Sequence, residues 1–452
     1  MDLLNADIAS QLGSLRRGEL SPVALCEAYL ARVERYDPML NCFVHLDREG
    51  LLAQARQSEA RYLRGEVSGR LDGIPVAIKD VIDVAGMPTT AHSKILLGNQ
   101  PDQDADCVAR LRAEGALIMG KLATHEFARG GPAFDLPFPP ARNPWNTAHH
   151  PGGSSSGAGA GVAGGLFPLA IGTDTGGSVR NPAAACGVIG FKGGYDRISR
   201  NGVFPLSPTL DHVGPLARHV SDIALAWRCL DRQAKDPETA RPYDDLRGMR
   251  IGYLRDLHLG TPKATDETAQ ALDAAARTLT ELGAVVEEAH TWPLPFYFDV
   301  NRIVLSSEAW HIHQPWLRDR PQDYAAITRR GLLEGAFYSA GDYLEAMRCR
   351  KLIRSHVLDL FERYDVLLLA SSLTPACAID DPDEVARTYS QQARVIFNLS
   401  GTPAIGMMAG LSKDGLPLSL QFAMADNREH DLLRLAGTWE RATPWHAMRP
   451  PL

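Results

Sequence analysis

One stretch, residues 152–192 (GGSSSGAGAGVAGGLFPLAIGTDTGGSVRNPAAACGVIGFK), constrains this chain more than any other. It sets two serine clusters in glycine-rich loops, Gly152-Gly153-Ser154-Ser155-Ser156-Gly157 and Gly172-Thr173-Asp174-Thr175-Gly176-Gly177-Ser178. The apolar run Gly165 to Ile171 between them reads as a buried strand. Glycine lets a backbone take up φ > 0 and come close to a ligand, and successive N–H groups in such a turn converge on an anion. A serine there is a candidate nucleophile beside a ready-made oxyanion hole. Its hydroxyl is a weak nucleophile until a base removes the proton. Lys79 suits that task, because it ends the apolar run Gly73-Ile74-Pro75-Val76-Ala77-Ile78. Lysine is rarely buried there without a reason, and burial favours the neutral amine.

Around this centre, helical and strand patterns interleave, which places the chain in the α/β class. Residues 3–63 read as helices, with Ser21-Pro22 as an N-cap and first helical residue. Strands are predicted at 116–119, 249–253, 284–287, 366–369, 401–408 and 418–423. Helices are predicted at 104–114, 221–231, 266–282 (capped by Thr265) and 429–441, and across most of 292–364. Residues 133–151 are dense in Pro, Asn and Gly and form a loop, and 233–248 is a polar excursion. We expect one domain, with an N-terminal helical region (1–64), a core (65–215) and a variable, mostly helical region (233–375).

The net charge of −7 carries no electrostatic footprint for nucleic acid. No apolar run is long enough to cross a membrane, and residues 1–20 lack the apolar segment of a signal peptide. The seven cysteines are scattered and odd in number, without CxxC spacing, so they read as reduced thiols in a cytoplasmic protein. Gly159-Ala160-Gly161-Val162-Ala163-Gly164 matches GxGxxG, but polar loop precedes it and no acid follows at the required distance. A helix of small residues packed on a strand is the better reading. Gly153-Ser154-Ser155-Ser156-Gly157 matches GxSxG, yet His149-His150-Pro151 is not the strand that a nucleophile elbow requires. His311 and His313, two residues apart, do not share a helix face and do not read as a metal site.

These motifs together resemble the amidase signature family. The resemblance rests on the two serine loops, then Val179-Arg180, Pro182-Ala183 and Cys186-Gly187. It also rests on Asp72–Asp80 as a lysine motif and Thr209-Leu210-Asp211-His212-Val213-Gly214-Pro215 as an SLDxxGP-like segment. Asn398-Leu399-Ser400-Gly401-Thr402-Pro403-Ala404 and Gln421 are similar to its C-terminal pattern. Gly193-Gly194-Tyr195-Asp196-Arg197 departs from the usual Pro-Thr-Tyr-Gly-Arg, and Leu369-Ala370-Ser371-Ser372 lacks the usual proline.

The resemblance implies a twisted mixed β-sheet flanked by helices on both faces. It implies a serine hydrolase with Ser178 as nucleophile, Ser154 on a cis peptide as proton relay and Lys79 as base. Backbone N–H groups of Thr175, Gly176, Gly177 and Ser178 would form the oxyanion hole, supported by Ser155, Asp174 and Arg180. In this family the variable region tends to wall the acyl pocket, so Trp310, Trp316 and Tyr338 are pocket candidates. The expected substrate is a small or medium amide, carbamate or ester, turned over by a monomer or homodimer with no metal or organic cofactor. Two alternatives stand beside it: the A-type component of a glutamine-dependent amidotransferase, and an inactive binding protein on the same fold. The amidotransferase branch carries an acid about seven positions before the NLxG motif; residues 388–397 hold none, which argues against glutamine.

Overall fold

Runs of apolar and β-branched residues leave no face for water, so their strands are buried on both sides. The computed structural model describes residues 3–233, 240–260, 262–389 and 392–452. Its strands are β1 (Phe43–Leu46), β2 (Pro75–Lys79), β3 (Leu117–Leu122), β4 (Leu169–Asp174), β5 (Ile189–Lys192), β6 (His212–Ala217), β7 (Arg250–Tyr253), β8 (Val285–Glu288), β9 (Val366–Ala370), β10 (Ala404–Leu411) and β11 (Pro417–Ala423). They form one eleven-stranded mixed sheet in the order β1-β3-β2-β4-β6-β5-β10-β11-β9-β7-β8. β2 runs parallel to both β3 and β4, while β4–β6, β5–β6 and β5–β10 are antiparallel. The fold is thus α/β with a large mixed sheet flanked by helices.

Three strands lie where no strand pattern was read. β1 is half-buried along its length and sits inside the stretch expected to be helical. β5 and β6 are short, and their backbone partners come from neighbouring strands, β10 and β6 for β5 and β4 and β5 for β6. The apolar run after the first serine loop becomes strand only from Leu169, because Gly165, at φ +70°, closes the preceding helix and Pro168 follows. Helix Val220–Leu230 has no side-chain cap; its Val220 N–H donates instead to Glu440 Oε1 at 3.0 Å. Thr265 does cap its helix, accepting from the Thr268 N–H. Part of the polar excursion, residues 234–239, lies outside the described residues.

Helix Ser156–Ala163 is the small-residue helix expected from its glycines. A Cβ at Gly157 would stand 2.4 Å from the Cys42 carbonyl oxygen, and one at Gly161 2.2 Å from the Phe167 ring. Among the described residues, no helix is long and apolar enough to cross a membrane.

Candidate active site

In open sheets of this kind, ligands bind beyond the carboxyl ends of parallel strands. Lys79 is the last residue of β2, and Thr173 and Asp174 end its parallel neighbour β4. Lys79 is fully buried, and its Nζ lies 2.7 Å from Ser154 Oγ and 2.7 Å from Thr173 Oγ1. Burial pushes its pKa down to about 7, against an opposing pull from Asp174 and Asp211. A neutral amine between two hydroxyls donates to one and accepts from the other. Thr173 was not singled out from the sequence, although it adjoins Asp174.

Ser154 follows a cis peptide bond from Gly153, and its carbonyl accepts from the His125 and Ser156 N–H groups. Ser155 ties the two serine loops together: its Oγ donates to the Thr173 carbonyl at 3.2 Å, and its N–H donates to the Ser178 carbonyl at 3.2 Å. Gly152 and Gly177 hold φ of +76° and +122°. A Cβ at Gly177 would stand 2.6 Å from Arg394 Nε, so both conformation and space demand glycine there.

Asp174 organises the second loop. Its carboxylate accepts from the N–H groups of Gly177 (2.9 Å) and Val179 (3.1 Å) and from Asn398 Nδ2 (2.8 Å). Arg180 pairs with it through Nε at 3.0 Å and Nη2 at 2.9 Å, and reaches Gln421, Asn398 and the Arg394 carbonyl. Burial works against the Asp174 charge, but Arg180 and Asn398 overcome it and hold the carboxyl well below the usual range. The Gly177 N–H, expected among the oxyanion donors, is therefore engaged by Asp174, because the loop curls back on the residue ending β4. Both partners of the Asp174–Arg180 pair are fully buried. We expect Asp174→Ala to cost about 3–5 kcal/mol of stability in denaturant melts, because it strands the Arg180 charge.

Asp211 is a second buried carboxylate that the sequence left without a role. It accepts from Thr175 Oγ1 at 2.6 Å and from the N–H groups of Leu206 and Ser207, anchoring the start of the Ser178 loop. Burial raises its pKa to about 6, partly offset by those hydrogen bonds.

A cavity of about 490 Å³ opens over this loop, lined by Gly153, Thr175, Gly176, Gly177 and Ser178. That volume suits a small ligand. The rest of its wall comes from distant parts of the chain, including Arg129, Asn181, Asn301, Arg302, Arg330, Glu334 and Gln392. Trp310, Trp316 and Tyr338 are not in the lining. Trp316 instead stacks in a cluster with Phe127 and Phe204, and Trp310 packs near Gly335. Tyr338 donates to Glu334 Oε1 at 3.2 Å and so stands one residue behind the wall. The three candidates followed from the family resemblance, but the long helix Leu294–Asp319 turns Phe298, Asn301, Arg302 and Leu305 to the cavity. His313, from the same helix, is buried and hydrogen-bonds Tyr324 Oη at 2.9 Å.

The Amidase family profile matches residues 24–433. The chain is 36% identical to the A component of the glutamyl-tRNA(Gln) amidotransferase of Chloroflexus aggregans, over 97% of this chain and 96% of that one. Among solved structures, it superposes with a TM-score of 0.88 and 31% identity on a chain from a vestigial complex tied to the origins of an s-triazine catabolic enzyme. That match covers 96% of this chain and 98% of the other. It superposes equally well, at 0.88 and 27% identity, on 6-aminohexanoate cyclic dimer hydrolase, covering 100% and 99% of the two chains. With the profile match spanning nearly the whole chain and both serine loops in register with the lysine strand, the protein belongs to the amidase signature family.

Proposed function

We propose that this protein cleaves the C–N bond of a small, carboxylate-bearing amide through an acyl-enzyme on Ser178. The observation that carries the reading is the buried Lys79 amine, 2.7 Å from Ser154 Oγ, beneath a cavity that Ser178 lines. Ser178 attacks the scissile carbonyl while its proton passes to Ser154 and the proton of Ser154 passes to Lys79. The resulting oxyanion is held by the N–H groups of Gly176 and Ser178, with Thr175 beside them. As the C–N bond breaks, Lys79 returns the proton through Ser154 to the leaving nitrogen. Water then enters by the same path, releases the acid and regenerates Ser178.

The cavity wall supports an anionic substrate. Arg129, Arg302 and Arg330 stand against one acid, Glu334. Arg129 is engaged by Ser306, the Gly331 carbonyl and Glu334, and Arg302 lies near Asp299 and Glu334. Arg330 makes no side-chain hydrogen bond or ion pair among the described residues. We expect Arg330→Met to raise KM for the monoamide adipamate about 10- to 100-fold, the worth of a charge-assisted hydrogen bond. KM for neutral hexanamide should stay unchanged in the same assay.

The likeness to an amidotransferase component favours a second reading, in which the amide is that of glutamine and the released ammonia passes to a partner protein. The absence of an acid across residues 388–397 weighs against it, and the 36% identity over nearly the full chain weighs more heavily for it. Both readings share the acyl-enzyme. Glutaminase activity together with a co-eluting partner would establish the second. Hydrolysis of adipamate by the isolated chain, with glutamine untouched, would establish the first.

A further inference from the structure

The loop that carries Ser178 begins at Thr175, whose side chain is held from outside the loop. Its Oγ1 donates to Asp211, and Asp211 closes a tight turn over residues 206–211. The Asp211 carboxylate accepts from the N–H groups of Leu206 (2.9 Å) and Ser207 (3.0 Å). In return, the Ser207 carbonyl accepts from the N–H groups of Leu210 and Asp211, both at 2.8 Å. A second acid, Glu308 on helix Leu294–Asp319, grips the same turn. Its Oε2 accepts from Ser207 Oγ at 2.7 Å and from the Thr209 N–H at 3.1 Å. Its Oε1 accepts from Thr209 Oγ1 at 2.6 Å and from Tyr343 Oη at 2.9 Å. Ser207 is fully buried and joins the two acids: its N–H serves Asp211 and its hydroxyl serves Glu308. Hydrogen bonds to a carboxylate are short and strong, so an acid that holds three of them to one turn fixes that turn against the helix.

We infer that Glu308 is a positioning residue for the oxyanion loop, acting through the turn, Asp211 and Thr175. The inference rests on the acyl-enzyme reading of Ser178. Glu308 does not line the cavity, whereas Leu305, one helical turn before it, and Leu206, beside Ser207, both do. Its effect is therefore on alignment and not on substrate contact. Oxyanion donors stabilise a transition state only while they point to where the charge develops. With Glu308 in place the turn keeps its position, Thr175 stays on Asp211, and the N–H groups of Gly176 and Ser178 keep their aim. Loss of that aim lowers turnover without lowering ground-state affinity, which the cavity wall supplies.

The test is Glu308→Ala in the full chain, assayed with adipamate. The variant should lose about 10- to 100-fold in kcat, the cost of a small misplacement at the reacting centre. KM should stay within about threefold, the opposite split from Arg330→Met. The rate at which a small fluorophosphonate labels Ser178 should fall in parallel, because its phosphoryl oxygen uses the same donors. The fraction labelled at completion should match wild type. Ser207→Ala combined with Thr209→Val should give the same kcat loss, with little further loss when Glu308→Ala is added. Glu308→Gln replaces one accepting oxygen with an NH2 group and serves if the alanine variant does not fold; a smaller kcat loss of about 3- to 10-fold is then expected. An unchanged labelling rate, a KM rise with kcat retained, or a loss of activity that only mirrors a smaller labelled fraction overturns the assignment. The same labelling separates the failures: a labelled wild type with an indifferent variant loses only Glu308, and an unlabelled wild type loses the amidase reading as well.

Discussion

Replacing Ser178 with alanine is expected to lower amide turnover by more than about a thousandfold, because the acyl-enzyme route disappears with the nucleophile. Fluorophosphonate labelling followed by peptide mapping reads the same residue directly. The adduct should fall on Ser178 in wild type and vanish in the variant, with the melting temperature little changed. The side chain of Ser178 faces the cavity rather than the core, so folding does not depend on it. An adduct on Ser155 would overturn the mechanism and revive an elbow nucleophile. The geometry speaks against that outcome: Ser155 is fully buried, and its Oγ is bonded to the Thr173 carbonyl. Turnover that survives Ser178→Ala within about tenfold would have the same force.

Lys79→Met is expected to remove activity about as completely, since the base is part of the same unit. In wild type, kcat/KM should rise with pH through about 7 as the amine loses its proton. Stability should move with it. The folded chain holds the Lys79 pKa near 7, below its ordinary 10.5, so the unfolded chain binds more protons between those values. Stability from this group therefore rises with pH across that window, and below about pH 7 the full penalty of roughly 5 kcal/mol applies. A methionine at this position carries no such penalty. The stability of Lys79→Met relative to wild type should be most favourable near pH 6 and should decline toward pH 9, followed by melts at each pH. A flat difference would mean that Lys79 stays protonated in the folded protein and cannot be the base. A buried amine that costs stability is one a site retains for its chemistry.

The elements that bear the proposed chemistry were the most legible ones. β2 could be read because Pro75–Ile78 is uniformly apolar and then stops at a lysine. The loops around Ser154 and Ser178 could be read because only glycine tolerates the backbone at Gly152 and Gly177. Asp174 and Arg180 belonged to the same run, and their mutual pairing is local. β5 and β6 were illegible for the converse reason. Four to six residues such as Ile189–Lys192 have no pattern of their own and become strands only through their neighbours, β5 through β10 and β6, and β6 through β4 and β5.

The cavity wall follows the same division. Trp310 and Trp316 were pocket candidates through the family resemblance, but the rotation of helix Leu294–Asp319 sends their bulk into packing and brings Asn301 and Arg302 to the cavity side. By itself, the sequence determined the residues of the proposed chemistry, because the two serine loops and the lysine that ends an apolar run are each marked by residue type over a short span, although 75 positions separate Lys79 from Ser154. What the chemistry acts on was decided by the tertiary structure. Arg129, Asn301, Arg330 and Gln392 converge on Ser178 only once the sheet has ordered its strands and the helices have packed. Which face a helix turns inward depends on everything it packs against, and no local span of the chain encodes that.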